Sequence, residues 1–112
     1  MNQPEKRRHS RLSKFLYVQY SYFTKYNYLT KIFEGIMQDI DQNGLRLSTK
    51  TYIPEKTKVS MLFSPSDARI RACGEVIWVR KAKKFFKINE HYSIGLKFTQ
   101  TKDTDIEKIT RL

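Results

Sequence analysis

An alternation of apolar and polar residues with period two runs through this chain and limits it to a β fold. Between Arg69 and Lys81 the residues Ile70, Ala72, Gly74, Val76 and Trp78 fall on one face, and Tyr92, Ile94, Leu96 and Phe98 repeat the pattern. Successive side chains of a strand point to opposite faces, so each run offers one apolar row to a core and one polar row to water. Leu16, Val18 and Tyr20 do the same between Lys14 and Tyr22, and Leu45 and Leu47 flank Arg46. Ile32 to Ile40 reads as a further strand, with Gly35 marking a bulge or bend inside it. Val59 to Phe63, after Pro54 and before Ser64–Pro65, completes a set of six.

Turn chemistry supports antiparallel neighbours. Asp41–Gln42–Asn43–Gly44 sits between two strand patterns, and Asn-Gly supplies the positive φ angles of a tight hairpin. Near the C-terminus the period changes: Ile106, Ile109 and Leu112 recur at helical spacing, with Thr104 and Glu107 in the pattern of a capping box. A chain of 112 residues has room for one core. The expected fold is all-β, a small six-stranded antiparallel barrel with a short C-terminal α-helix. Residues 1–13 form a flexible arginine-rich arm and 14–112 the barrel domain with its helix.

Charge narrows the partners. Lys and Arg number 22 against 11 acidic residues, a formal net charge of +11, which favours an anionic ligand or surface without choosing one. Cys73 is the only cysteine, so no intrachain disulfide and no cysteine-built zinc site can form, and in a central strand its thiol is inert. His9 and His91 have no partners at metal spacing. The apolar stretch from Phe15 to Phe23 is too short to span a bilayer, so a cytoplasmic protein without a transmembrane segment is expected. No nucleophile–base pair or metal cluster is visible, which leaves an enzyme the least supported class, and no cofactor is expected.

Two motifs carry more specific chemistry. Arg7–Arg8–His9–Ser10–Arg11 taken alone reads first as a solvated basic tail, with a clamp for an anion as the alternative. A guanidinium donates two parallel hydrogen bonds, matching both guanine O6/N7 and a phosphodiester, so arginines four apart could grip two parts of one nucleotide. Asp39–Ile40–Asp41–Gln42–Asn43–Gly44 reads as a strand end and turn, but it also matches the opening of a calcium loop. Such a loop needs a bidentate Glu at its twelfth position, where this chain has Lys50, so calcium is excluded.

Taken together, the Arg-x-x-x-Arg arm and Asp39, Asp41 and Gly44 resemble the PilZ domain signature, in which Asp-x-Ser-x-x-Gly follows the arginines after one strand pair. The segments Gly44–Leu47, Gly74–Trp78 and Ile94–Phe98 are similar to the remaining family blocks, and the resemblance runs in order from about Glu5 to the C-terminus. It implies a barrel that binds cyclic di-GMP on its surface. By that resemblance Arg7 and Arg11, assisted by Arg8, would contact guanine Hoogsteen edges and phosphates, Asp39 would accept from guanine N–H groups, and Gly44 would let backbone approach the ligand. Asp41 replaces the family serine, an acceptor-only anion in place of a hydroxyl, and could itself accept from a guanine N–H. By the same resemblance, the basic Lys6 before Arg7 would favour a stacked pair of ligands over a single one.

Trp78 shares its strand face with Val76 and Ala72 and is expected in the core, with a stacking platform for a base as the alternative. The segment Lys81–Lys87 is expected to be a solvated basic hairpin, with Phe85 and Phe86 tucked against the barrel. The resulting expectation is a non-enzymatic cyclic di-GMP receptor whose arm changes conformation on binding and signals to a partner protein, with no DNA target. Two alternatives stay open: a ligand-blind PilZ-type docking module, and a small basic barrel that binds RNA or single-stranded DNA. The residues do not set the oligomeric state.

Overall fold

The computed structural model describes residues 12–64, 69–81 and 91–112, with side chains from Leu16 onward. Six strands and one helix follow in chain order: β1 (Leu12–Tyr22), β2 (Phe33–Ile40), β3 (Gly44–Thr49), β4 (Lys58–Phe63), β5 (Ile70–Lys81), β6 (Tyr92–Thr99) and α1 (Asp103–Thr110). They close into a barrel in the order β1-β2-β3-β6-β5-β4, and β1 also pairs with β4, from Gln19 opposite Leu62 to Tyr22 opposite Val59. All neighbours are antiparallel. The six-stranded barrel with its terminal helix is the architecture expected from the alternation.

The interior is filled from alternate positions of every strand, as period two requires. Val18 and Tyr20 of β1, Leu45 and Leu47 of β3, and Ile94 and Leu96 of β6 are fully buried, and Phe63 and Met61 meet them from β4. Burial raises the pKa of the Tyr20 hydroxyl above the ordinary phenol value, against the opposing effect of the Thr51 and Thr49 side chains.

Helix α1 closes the structure against β5, burying Ile106 and Ile109. Its N-terminus departs from the expected capping box. Lys102 occupies the cap position with no side-chain hydrogen bond, and Thr104 lies inside the first turn. Asp103 and Asp105 in that turn complement the positive end of the helix instead.

Three irregularities interrupt the pairing: β1 slips against β2 between Ser13 and Leu16, and the other two, in β2 and β5, matter for function. In β2 the pairing slips between Met37 and Asp39 rather than at Gly35. Met37 pairs with Leu47, then Asp39 pairs with Arg46 and Ile40 with Leu45. One residue inserted in β2 therefore turns Asp39 from an inward position to an outward one and gives the inward place to Ile40. In β5 the slip lies between Val76 and Trp78. Val76 pairs with Leu96, Trp78 with Gly95 and Val79 with Ile94, so Val79 takes the inward place and packs on the core. Trp78 is consequently half-buried on the outer face, not in the core row with Ala72 and Val76.

Candidate functional site

The two bulges place their displaced residues in one row. Asp39 of β2 is opposite Arg46 of β3, Arg46 is opposite Gly95 of β6, and Gly95 is opposite Trp78 of β5. On the other side Asp39 faces Ser13 of β1. Three inter-strand spacings separate Asp39 from Trp78, about 14 Å of barrel surface. A carboxylate, a guanidinium, a bare backbone and an indole thus follow one another across four strands.

Arg46 fixes the acidic end. Its Nη2 lies 2.8 Å from Oδ2 of Asp39, whose side chain is 11% exposed against 43% for Arg46. A carboxylate this sheltered keeps its charge cheaply only beside a cation, and the pair holds the Asp39 oxygens in a set direction. Arg46 Nε is buried and makes no hydrogen bond among the described residues. Sequence reading singled out Asp39 and passed over Arg46, although the hairpin register counted from the turn already sets the two opposite each other.

Asp41 shapes the turn. Its Oδ1 accepts from the Asn43 N–H at 2.8 Å and the Gly44 N–H at 3.0 Å, while the Asp41 N–H donates to the Gly44 carbonyl at 2.9 Å. This side-chain turn replaces the expected Asn-Gly hairpin: neither Asn43 nor Gly44 has a positive φ. The acidic residue at the family's serine position therefore has a local task that any oxygen acceptor could perform. Gly44 is needed for space. A Cβ there would overlap the backbone carbonyl of Leu96 on the adjoining strand.

The far end of the row is aromatic. The indole of Trp78 lies over Gly95, where any Cβ would overlap the ring, and the Arg80 guanidinium sits 4.8 Å from the ring centroid. Gly95 and Arg80 also escaped sequence reading, because their roles depend on the bulge that turns Trp78 outward.

Of the expected site residues, Asp39 and Trp78 share the row, and Asp41 and Gly44 form the turn at the end of the same β2–β3 hairpin. Lys6, Arg7, Arg8 and Arg11 lie outside the described residues, as does the 82–90 part of the basic loop. Their covalent tether is nonetheless placed: Arg11 precedes Leu12 of β1, and Ser13 is the partner of Asp39. Arg7 lies four positions before Arg11, a reach of about 14 Å for extended chain, which matches the length of the row. A groove of about 930 Å³ lies elsewhere, among Tyr22, Phe23, Lys25, Tyr52, Lys56 and Lys58. Among the described residues no cluster of His, Cys, Asp and Glu could hold a metal ion, and no helix is long and apolar enough to cross a membrane.

The family model for the PilZ domain matches residues 5–112. The chain belongs to the PilZ family. Solved PilZ structures share its fold: the "PilZ domain with c-di-GMP of YcgR from Escherichia coli" superimposes with a TM-score of 0.66 at 15% identity, covering 95% of this chain and 87% of that one. MrkH, described as a c-di-GMP-dependent transcription regulatory factor, superimposes with a TM-score of 0.59 at 16% identity. That match covers 88% of this chain and 47% of MrkH. No curated protein matches the PilZ chain by sequence search.

Proposed function

We propose that this PilZ domain is a cytoplasmic, non-enzymatic receptor for cyclic di-GMP, with the outer row from Asp39 to Trp78 as the nucleotide platform. The observation that carries this reading is the row itself: two separate bulges turn Asp39 and Trp78 outward into one register, beside the point where the arginine arm joins β1. In this reading Asp39 accepts from a guanine N–H while Arg46 keeps its carboxylate aimed. A guanine takes the place over Trp78 that Arg80 holds in the free chain, where stacking contributes about 1–3 kcal/mol. Arg7 and Arg11, with Arg8 and Lys6 beside them, close over phosphates and Hoogsteen edges, and Lys6 favours a stacked pair of ligands. Gly44 and Asp41 keep the turn compact beside the ligand. The ligand-bearing neighbour YcgR and the c-di-GMP-dependent regulator MrkH support the ligand class and an effector role. The closed arm then presents a new surface to a partner protein.

One observation favours the ligand-blind alternative. Asp41 Oδ1 already accepts two backbone N–H groups, and Asp39 Oδ2 already pairs with Arg46. Calorimetric titration of the chain with cyclic di-GMP, cyclic di-AMP and GTP separates the readings. Saturable heat with cyclic di-GMP alone is the expected outcome. Equal response to all three would reduce the interaction to general attraction by a chain of charge +11, and no heat with any would contradict the receptor reading.

A further inference from the structure

Among the described residues, exposed apolar surface is concentrated on the β1–β2 ribbon. Of the nine large hydrophobic residues exposed on the described surface, seven belong to the β1–β2 ribbon and its connection, residues 17–36. Four stand out at the connection: Tyr26 is 70% exposed, Tyr28 72%, Leu29 53% and Ile32 65%. Scattered single residues of this kind need no explanation, but a concentrated patch signals an unfilled contact.

The connection is a built structure. The Thr24 N–H donates to the Tyr28 carbonyl at 2.8 Å and the Asn27 N–H to the Thr24 carbonyl at 2.8 Å, with Asn27 turning the chain at φ 69°. The Tyr28 N–H donates to Thr24 Oγ1 at 3.3 Å, the Tyr22 N–H to Thr30 Oγ1 at 3.1 Å, and the Thr30 N–H to the Tyr22 carbonyl at 3.0 Å. Phe23 and Leu29 form a further bridge. Backbone groups that are paired internally can leave water at little cost, which is the requirement on a segment that enters a lipid interface. The side chains suit the same place: tyrosines with apolar rings and polar tips, aliphatic Leu29 and Ile32, and cationic heads beside the rings. Lys25 Nζ lies 5.2 Å from the Tyr26 centroid and Lys31 Nζ 5.4 Å from that of Phe33.

We infer that the β1–β2 tip docks on a membrane surface rich in anionic lipid, with Tyr26, Tyr28, Leu29 and Ile32 at the headgroup level and Lys25 and Lys31 on the lipid charges. Charge selects an anionic occupant, and the aliphatic side chains separate lipid from nucleic acid. The tip from Phe23 to Ile32 carries two lysines and no acidic residue, while Leu29 and Ile32 offer nothing for a base to stack on, which disfavours a nucleic-acid strand. The surface is independent of the nucleotide platform, since Ser13 opposite Asp39 and Tyr22 at the tip are nine residues apart on β1, about 30 Å. Docking therefore proceeds with or without nucleotide.

Cosedimentation of the full chain with phosphatidylcholine vesicles, with and without phosphatidylserine, tests this directly. Binding to the phosphatidylserine vesicles alone is expected, weakening as salt is raised. Tyr28→Ser combined with Leu29→Ser should lower vesicle affinity about tenfold or more. In a second variant, Leu29→Trp, the added fluorescence should shift to the blue on mixing with anionic vesicles. No sedimentation of the unmodified chain, no shift from the Leu29→Trp variant, or a tip that binds single-stranded RNA and not vesicles overturns the proposal.

Discussion

Alanine at Gly44 is expected to lower the stability of the barrel by about 3 kcal/mol or more, because the added methyl group has nowhere to go. It would overlap the Leu96 carbonyl of β6, which is backbone and not a rotatable side chain. Neither strand can retreat. β3 is bonded to β2 on one side and β6 on the other, and the closed barrel transmits any shift around all six strands. The conformation of Gly44 is ordinary, with no positive φ, so the loss comes from space alone and not from backbone strain. Thermal unfolding followed by circular dichroism should show a midpoint lowered on the order of 10 °C. A midpoint equal to that of the unmodified chain would mean that β3 and β6 are not held at this separation. Position 95 provides the contrast, since the nearest atoms a methyl group would meet there belong to the Trp78 side chain and not to backbone.

Replacing Arg7 and Arg11 together by alanine is expected to reduce cyclic di-GMP affinity by at least about a hundredfold, as each charge-assisted hydrogen-bonding group removed costs roughly 1.5–3 kcal/mol. Stability without ligand should stay within about 0.5 kcal/mol, the usual range for substitutions outside the core. The combination distinguishes a shaped grip from bulk attraction. With 22 cations on the chain, losing two would weaken nonspecific binding only modestly and in a salt-dependent way. Calorimetry at two salt concentrations reads both quantities, and a loss of only a few-fold would mean that the arm is one contributor among many.

How far the sequence reaches is clearest at the bulges. Leu16, Val18, Tyr20, Ile94 and Leu96 announce the barrel because their alternation is unbroken, and each points inward. The same rule misplaces Trp78, since a single inserted residue reverses every face after it and leaves no mark in composition. Asp39 stood out through its motif, while Arg46 required knowing the register, and Gly95 and Arg80 required knowing which way the indole turns. The turn was located correctly from Asn43–Gly44 but explained wrongly. Asp41 closes the turn through its side chain, and neither Asn43 nor Gly44 takes the positive φ expected of an Asn-Gly hairpin. The helix was visible in Ile106 and Ile109, whereas its first turn is arranged by charge and not by the Thr104–Glu107 pattern.

The account depends on guanidinium groups from the N-terminus and the β2–β5 row contacting one and the same nucleotide. Titration of cyclic di-GMP into isotopically labelled chain, read by nuclear magnetic resonance at the amides of Arg7, Arg11, Asp39 and Arg46 and the indole N–H of Trp78, measures that directly. All five signals should move together and saturate at the same ligand ratio. Arm signals that respond while Asp39 and Trp78 stay fixed would contradict it.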